Sequence, residues 1–229
     1  FKRALALLQY FASIKSFHST EGMVRLKLQE DGMLELSMIS EVSSVKHLVK
    51  PLATTYNVFD VLAPYDVLTS TVRALTTDTI DLVQDFSSLL VKTSGGKYKM
   101  AGQNEKEFPV APILQGESCP LTLSALSSAI SRVAYCVSND ELRPSICGVL
   151  LDPIGEGRVN AVATDGHRIA IYETDLAFIK EKVILHVTAF KAIQFMSQFM
   201  NQVNALVSDR YLMIYDESTS IIVKLVQEE

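Results

Sequence analysis

The 229-residue chain has no tryptophan and few residues that cross-link or interrupt regular structure: three cysteines, seven prolines and ten glycines. The odd number of cysteines and the lack of any C-x-x-C spacing argue against a disulfide framework or a zinc site. No uninterrupted apolar run approaches the ~18 residues that a membrane span needs. With 48% hydrophobic and 21% charged residues, the composition predicts a folded globular protein.

Signals for nucleotide binding and for export are absent or weak. The chain has no G-x-x-x-x-G-K-[ST] loop to cradle phosphates, so no cofactor is predicted. Its first residues, FKRALALLQYFASI, place two basic residues before an apolar run, as a signal peptide does. Gln9 and Tyr10 interrupt that run. The helical spacing of Leu5, Leu8 and Ala12 favours an amphipathic helix instead. We therefore expect a cytoplasmic protein with no membrane partner.

Four segments have the periodicity of amphipathic helices: residues 1–12, 64–75, 123–137 and 188–200. Pro64 suits the first position of its helix, and Thr188 is a candidate N-cap. Alternating or apolar runs between the helices predict strands. The predicted strands begin at Met23, Met33, Tyr56 and Thr79 and, after the third helix, at Ile146, Arg158, His167, Lys182, Val203, Arg210 and Ile221.

The order of helix, strands, helix, strands occurs twice, which indicates an internal repeat. Like residues recur 125 positions apart, in the pairs Ala4 with Ala129, Leu5 with Ile130, Leu8 with Val133, and Tyr10 with Tyr135. The predicted fold class is α+β, a tandem repeat of two domains, each with two helices packed on antiparallel sheets. The predicted bounds are 1–102 for the first domain, 103–117 for an extended connector and 118–229 for the second domain.

The segment AVATDGHRIAIYE, residues 161–173, has the strongest local signal. Asp165-Gly166 lies between two apolar-rich runs and predicts a two-residue hairpin turn of type I′, and Asp31-Gly32 predicts a similar turn. His167 and Arg168 follow the first of these turns. The simplest interpretation of both is a hairpin edge with solvated charges.

An enzyme hypothesis pairs Asp165 with His167 as acid and base, beside a nucleophile such as Cys147. Asp165 is better explained as the turn residue. Two positions on a tight hairpin also give poor geometry for an aspartate that orients a histidine. We therefore predict that the protein is not an enzyme.

The net charge of −5 and the pI near 5.4 argue, as averages, against a nucleic-acid binder. The distribution of charge points the other way. The helices carry five basic residues against Asp66 alone, a net charge of +4, so the rest of the chain carries −9. Those basic residues are Lys2, Arg3, Arg73, Arg132 and Lys191. Each could be a solvated helix face, but together on one surface they would bind a phosphate backbone without reading sequence.

Two segments resemble a known family. SNDELRPSICGVLLD at 138–152 and RVNAVATDGHRIAIYE at 158–173 closely resemble the middle domain of bacterial sliding clamps, the beta subunit of the replicative DNA polymerase. The resemblance includes Glu141, Arg143, Pro144 and Gly148, the EFP run at 107–109 and VTAFKAIQFM before the last strands. It is specific over about residues 105–226. Over the first hundred residues it rests on the repeat and the element order.

The resemblance implies a DNA polymerase processivity factor: a ring of six similar domains whose helices surround duplex DNA and whose sheets face outward. A separate ATP-dependent clamp loader would place it on DNA. The alternative is a clamp-like protein that binds peptides without encircling DNA. For the ring that surrounds DNA, the predicted DNA-facing residues are Lys2, Arg3, Arg73, Arg132, Arg143 and Lys191.

In this family the peptide tails of polymerases and other partners dock beside the ATDGHR hairpin. Carried over by position, the predicted peptide-binding residues are Ile146, Thr164, Gly166, His167, Arg168 and Ile169, with Ile146 expected on a neighbouring strand. Bacterial clamps have three domains and form dimers, whereas this chain has two predicted domains. We therefore expect a homotrimer, or a homodimer if a third domain is missing, in a bacterial cell or a virus-infected bacterial cell.

Overall fold

The computed structural model describes residues 1–14, 20, 22–55, 58–103, 105–140 and 142–227. The chain divides into two compact units, Phe1–Ala111 and Pro112–Glu229. Each unit packs two α-helices on antiparallel strands, as the α+β prediction requires. The predicted connector spans the division between the units, and the predicted domain bounds stay predictions. Glu141 and the start of the strand predicted at Tyr56 lie outside the described residues.

The described residues of the first unit form two α-helices and seven strands. They are α1 (Lys2–Ala12), β1 (Met23–Leu28), β2 (Leu34–Ile39), β3 (Ser43–Val49), β4 (Asp60–Pro64), α2 (Tyr65–Ala74), β5 (Asp81–Asp85), β6 (Ser88–Thr93) and β7 (Gly96–Met100). One antiparallel sheet has the order β3-β2-β1-β4, and β5-β6-β7 form another. The sequence did not predict β3 or β6, because these strands mix polar and apolar residues without strict alternation. It did not predict β7 either, because its five residues are too few for an alternating pattern to stand out.

The core of the first unit lies under α1. This helix buries Leu5 and Leu8 against β2 and β3, and burying one leucine side chain contributes about 1.5–3 kcal/mol. The Tyr65 hydroxyl at the start of α2 donates to the Leu5 carbonyl at 2.7 Å, which fastens the two helices together. Burial raises the pKa of Tyr65. The helices therefore lie side by side, with their polar faces outward.

The second unit begins with a short strand and then repeats the same order. Its elements are β8 (Cys119–Thr122), α3 (Leu123–Val133), β9 (Gly148–Gly155), β10 (Arg158–Thr164), β11 (Ile169–Asp175), β12 (Val183–His186), α4 (Val187–Met196), β13 (Gln202–Val207), β14 (Tyr211–Tyr215) and β15 (Thr219–Val226). The eight strands pair antiparallel in the order β11-β10-β9-β12-β15-β14-β13-β8. The sequence did not predict β8.

Two helix ends in the second unit differ from the prediction. The helix predicted over 123–137 ends at Val133, and its last turn tightens into a 3-10 turn, Ala134–Cys136. The predicted cap of α4, Thr188, is wrong: the N-cap is His186, whose ring nitrogen Nδ1 accepts from the Thr188 backbone N–H at 3.3 Å. An imidazole lone pair can take the role that a serine or threonine oxygen usually has.

Candidate functional site

The Asp165-Gly166 turn closes the β10–β11 hairpin as a four-residue loop, with Thr164 opposite Ile169. The predicted two-residue turn of type I′ is wrong, because that turn needs positive φ at both central positions and Asp165 does not have it. Gly166 alone supplies the positive φ, +88°. The Asp165 carboxylate accepts from the backbone N–H groups of His167 at 3.0 Å and Arg168 at 3.1 Å.

The Asp165 carboxylate stabilises this loop through hydrogen bonds. Its hydrogen bonds from the backbone of His167 and then of Arg168 lower its pKa to about 2. The Arg168 Nε donates to it as well, at 2.9 Å. A carboxylate that stays ionised and bonds to backbone amides is poorly suited to serve as the partner of the His167 imidazole, so the geometry argues against the acid–base hypothesis.

Arg168 connects the loop to the end of α3. Its Nη2 donates to the Tyr135 carbonyl at 2.9 Å, and its guanidinium carbon lies 5.9 Å from the centre of the Tyr135 ring. Thr164 completes the loop, because its hydroxyl donates to the Arg168 carbonyl at 2.8 Å and accepts from the Gly166 N–H at 3.1 Å. The predicted residues Thr164, Gly166 and Arg168 are therefore joined in one hydrogen-bonded unit.

Arg143 lies beside the same loop. A Cβ built on Gly166 would lie 3.9 Å from Arg143 Nη1. The Arg143 Nε donates to the Asp140 carboxylate at 2.8 Å, and this hydrogen bond lowers the pKa of Asp140. Arg143 is thus in the segment between α3 and β9 rather than on a helix, and its predicted role toward DNA stays a prediction.

Ile146 is half-buried in a 3-10 turn, Pro144–Ile146, just before β9. The expectation that it lies on a strand is wrong. Pro144 fixes φ and favours this tight turn, so β9 begins only at Gly148. A backbone hydrogen bond from Ser138 to the Ile146 carbonyl, 3.0 Å, ties the turn to the segment after α3.

Large apolar side chains stand open around the loop, and most were not predicted. Tyr135 is 64% exposed, Leu142 92%, and Ile169 and Ile171 62% each. We call these four residues, with Arg143 and Arg168, the docking surface. Isolated exposed apolar residues are ordinary, but a group beside polar residues marks an interaction site. The repeat relation between Tyr135 and Tyr10 was the one sequence signal that pointed to Tyr135. No sequence signal pointed to Leu142.

The basic helix residues of the first unit are all exposed. Lys2 donates to the Leu75 carbonyl at the end of α2, at 2.8 Å. The Arg73 Nη2 lies 3.5 Å from the Gln9 side-chain oxygen on α1. Arg3 is on the same side-by-side helix pair. The pair therefore presents three cations on its solvent face.

The second unit has a corresponding helix pair. The Gln194 amide of α4 donates to the Ser131 hydroxyl of α3 at 2.7 Å, and both Arg132 and Lys191 are exposed. The Arg132 guanidinium carbon lies 4.7 Å from the centre of the Tyr172 ring on β11. Arg132 is thus held toward the sheet by a cation–π contact while its charge stays in solvent.

Other kinds of site find no support in the described part of the chain. It has no cluster of three or more histidine, cysteine or acidic side chains placed to hold a metal ion. Among the same residues, no helix combines the length and apolarity needed to cross a membrane. Cys119, Cys136 and Cys147 are not joined in disulfides.

Residues 121–229 match the family model of the DNA polymerase III beta subunit, central domain. The chain is 31% identical over 116 residues to a beta sliding clamp of Synechococcus elongatus, covering 50% of this chain and 31% of that protein. It is 29% identical over 109 residues to a beta sliding clamp of Chlamydia muridarum, covering 46% of this chain and 29% of that protein.

Solved structures share the fold over the entire chain. A DNA polymerase sliding clamp from Pseudomonas aeruginosa, crystallised with a ligand, matches 100% of this chain and 64% of its own, with a TM-score of 0.88 at 21% identity. The DNA polymerase III beta subunit of Thermotoga maritima matches with a TM-score of 0.83 at 18% identity, over 100% of this chain and 62% of its own. The chain therefore spans less than two thirds of each relative, and the resemblance inferred from the sequence is confirmed.

Proposed function

We propose that this chain acts as a DNA polymerase processivity factor. The chain has the sliding-clamp fold throughout. Its second unit belongs to the central-domain family of the DNA polymerase III beta subunit. In this role the chain encircles duplex DNA and tethers the replicative polymerase. The work is confinement rather than catalysis, because tethering raises the concentration of the polymerase at the primer end. It needs no cofactor of its own, and we assign ATP-dependent loading to a separate clamp loader in the cytoplasm.

The observation that carries this proposal is the repeated helix pair. Both units pack two helices side by side, and all five basic residues of the helices are exposed. Phosphate contacts from lysine and arginine are independent of sequence and allow a protein to slide along DNA. The acidic remainder of the chain would repel DNA from other surfaces. Lys2, Arg3, Arg73, Arg132 and Lys191 are therefore proposed to face DNA.

The docking surface is proposed to bind the peptide tail of the polymerase. Apolar contacts from Tyr135 and Ile169 would provide affinity, and the backbone-anchored loop of His167 and Arg168 would provide a rigid rim. The loop hydrogen bonds fix Arg168 before any peptide arrives, which lowers the ordering cost of binding. Ile146, Thr164 and Gly166 support this rim rather than project from it.

Assembly into a ring is proposed to use three copies of the chain. A ring of six similar units requires three two-unit chains, joined head to tail through heterologous interfaces that close. A dimer is expected if the full-length protein carries a third domain.

Charge reversal on the helices tests the proposal. Replacing Arg73, Arg132 and Lys191 together by glutamate should shorten retention of the protein on circular DNA after loading, most strongly at low salt, since screening weakens phosphate contacts. A matched control reverses Lys50, Lys180 and Arg210, exposed residues outside the helices with the same total charge change. Tyr172→Leu, which removes the ring contact of Arg132 but keeps its charge, should leave retention unchanged. Equal retention by the helix variant and the control would favour the peptide-binding alternative.

A further inference from the structure

Two contacts between an arginine and a tyrosine fasten the end of α3 to β11. Arg132 of α3 lies over the ring of Tyr172 on β11, with its guanidinium carbon 4.7 Å from the ring centre. In the opposite sense, Arg168, which directly precedes β11, lies 5.9 Å from the ring centre of Tyr135 and donates to the Tyr135 carbonyl at 2.9 Å. Each side thus supplies one arginine and one tyrosine. We call these four residues the double clasp.

The two arginines of the double clasp belong to different proposed sites. Arg132 is one of the exposed cations proposed to face DNA, whereas Arg168 and Tyr135 belong to the docking surface. Arg132 and Tyr135 are three positions apart along α3 and the 3-10 turn that follows it, a spacing that puts both side chains on the same side. The double clasp therefore joins the proposed DNA contact of the second unit to the proposed peptide site.

Tyr172 belongs to neither site. It is half-buried and lies opposite the buried residue Ala161, on the face of β11 against which α3 packs. Ile169 and Ile171 lie on the other face, because successive side chains of a strand point to opposite sides. Replacing Tyr172 can therefore open the clasp while every residue of the two proposed sites stays in the chain.

The packing that the two units share does not require the double clasp. At the repeat position of Arg132, 125 residues earlier, the first unit has Leu7, which is buried. The loop between β2 and β3, which corresponds to the loop of Arg168, carries no basic residue. Both arginines are thus additions of the second unit, which indicates a role beyond the shared fold.

The contact between Arg132 and Tyr172 is weak enough to open and re-form. A cation–π contact at an exposed site changes an equilibrium constant by a factor of about two to five. The end of α3 therefore has a clasped and an unclasped arrangement of similar free energy. A ligand shifts such an equilibrium by as much as its affinities for the two arrangements differ.

Both proposed ligands favour the clasped arrangement. A peptide that packs on Tyr135 and Ile169 touches the helix end and the strand together, so it holds them in contact. On the DNA side, the Tyr172 ring orders the Arg132 guanidinium before a phosphate arrives, so less side-chain entropy is lost on binding. Each ligand therefore shifts the end of α3 toward the arrangement that the other ligand prefers.

We propose that the double clasp couples DNA binding to peptide docking in the second unit, so that the protein on DNA binds the polymerase tail more tightly than the free protein does. This inference rests on the proposed function. The coupling is reciprocal: peptide tightens the DNA contact by the same factor as DNA tightens the peptide. Because one exposed cation–π contact carries it, the factor is about two to five.

The ratio of two peptide affinities tests the coupling. The protein is loaded onto nicked circular DNA by the clamp loader of the same genome with ATP, and the loader is removed by gel filtration. The probe is a fluorescein-labelled peptide that copies the C-terminal tail of the replicative polymerase from that genome. Its anisotropy gives the affinity of the loaded protein and of the free protein in one buffer.

Three variants separate the clasp from a general effect on the fold. Tyr172→Leu opens the clasp, and Tyr172→Phe keeps the ring that Arg132 contacts. Tyr211→Leu makes the matched change in a half-buried tyrosine of β14, four strands away from β11 in the sheet. The unchanged protein, Tyr172→Phe and Tyr211→Leu should bind the peptide about two- to fivefold more tightly on DNA than off it. For Tyr172→Leu the two affinities should be equal.

A purely structural role of Tyr172 would change both affinities alike and leave their ratio as it is. A ratio in Tyr172→Leu equal to that of the unchanged protein would therefore overturn the inference. Equal affinities on and off DNA in the unchanged protein would also overturn it, and the proposed function would stand, since peptide binding and retention on DNA are both seen. Failure of the unchanged protein to bind the peptide or to stay on circular DNA would overturn the proposed function and this inference together.

Discussion

The two units use one repeat position in opposite ways. Tyr10 in α1 packs edge-on against Phe11, with ring centres 5.8 Å apart, and burial raises its pKa to about 12. Tyr135, 125 residues later, is 64% exposed and holds Arg168 through its carbonyl and its ring. The tyrosine side chain is partly buried in the first unit and largely exposed in the second. An internal repeat thus conserves the packing while the surface diverges.

The hairpin loops differ in the same way. In the first unit, Ser40 closes the loop between β2 and β3, and its backbone N–H donates to the Ser43 carbonyl at 2.8 Å. That loop carries Glu41 and no basic residue. The corresponding loop between β10 and β11 carries His167 and Arg168. The proposed peptide site therefore lies in the second unit.

Core substitutions at equivalent positions should have the largest effects and should be alike in the two units. Leu5 and Ile130 are 1% and 0% exposed, so Leu5→Ala and Ile130→Ala should each lower the free energy of unfolding by about 2–5 kcal/mol through lost burial and a residual cavity. Urea denaturation followed by circular dichroism measures both. Ser128→Ala, exposed on α3, should change stability by less than about 0.5 kcal/mol. A large cost in only one unit would break the equivalence of the repeat.

Substitutions at the repeat-equivalent tyrosines, Tyr10 and Tyr135, and in the β10–β11 loop should affect peptide binding only in the second unit. Arg168→Ala or Tyr135→Ala should weaken binding of the polymerase tail peptide roughly tenfold, as expected for an interface residue worth above 1 kcal/mol. His167→Ala should weaken it less, because its exposed side chain is not anchored as Arg168 is. Tyr10→Phe should leave the affinity unchanged. Isothermal titration of each variant makes the comparison, and unchanged affinity for both Arg168→Ala and His167→Ala would remove the docking site from this hairpin.

The repeat and the helices could be predicted from sequence because they rest on periodicity, which Leu5, Leu8, Ile130 and Val133 display clearly. The helix-borne charges followed from the same assignment. A strand as short as β7 could not be predicted, because the five residues GKYKM are too few to distinguish a strand from a turn.

The docking surface could be predicted only in part. The family resemblance led to Thr164, Gly166 and Arg168, which the structure joins by hydrogen bonds. Tyr135 lies in the 3-10 turn that follows α3, where the sequence predicted that the α-helix would continue. A turn at Asp165 was predicted from the Asp-Gly dipeptide. Its geometry, however, depends on the hydrogen bonds that the Asp165 carboxylate accepts from the backbone N–H groups of His167 and Arg168.

The mass of the assembled protein tests the central claim most directly. Light scattering during size-exclusion chromatography at micromolar concentration should give three times the 25.3 kDa mass of one chain, because the proposed ring needs six units from chains of two. A sharp peak at the mass of a single chain would contradict a ring built from copies of this chain.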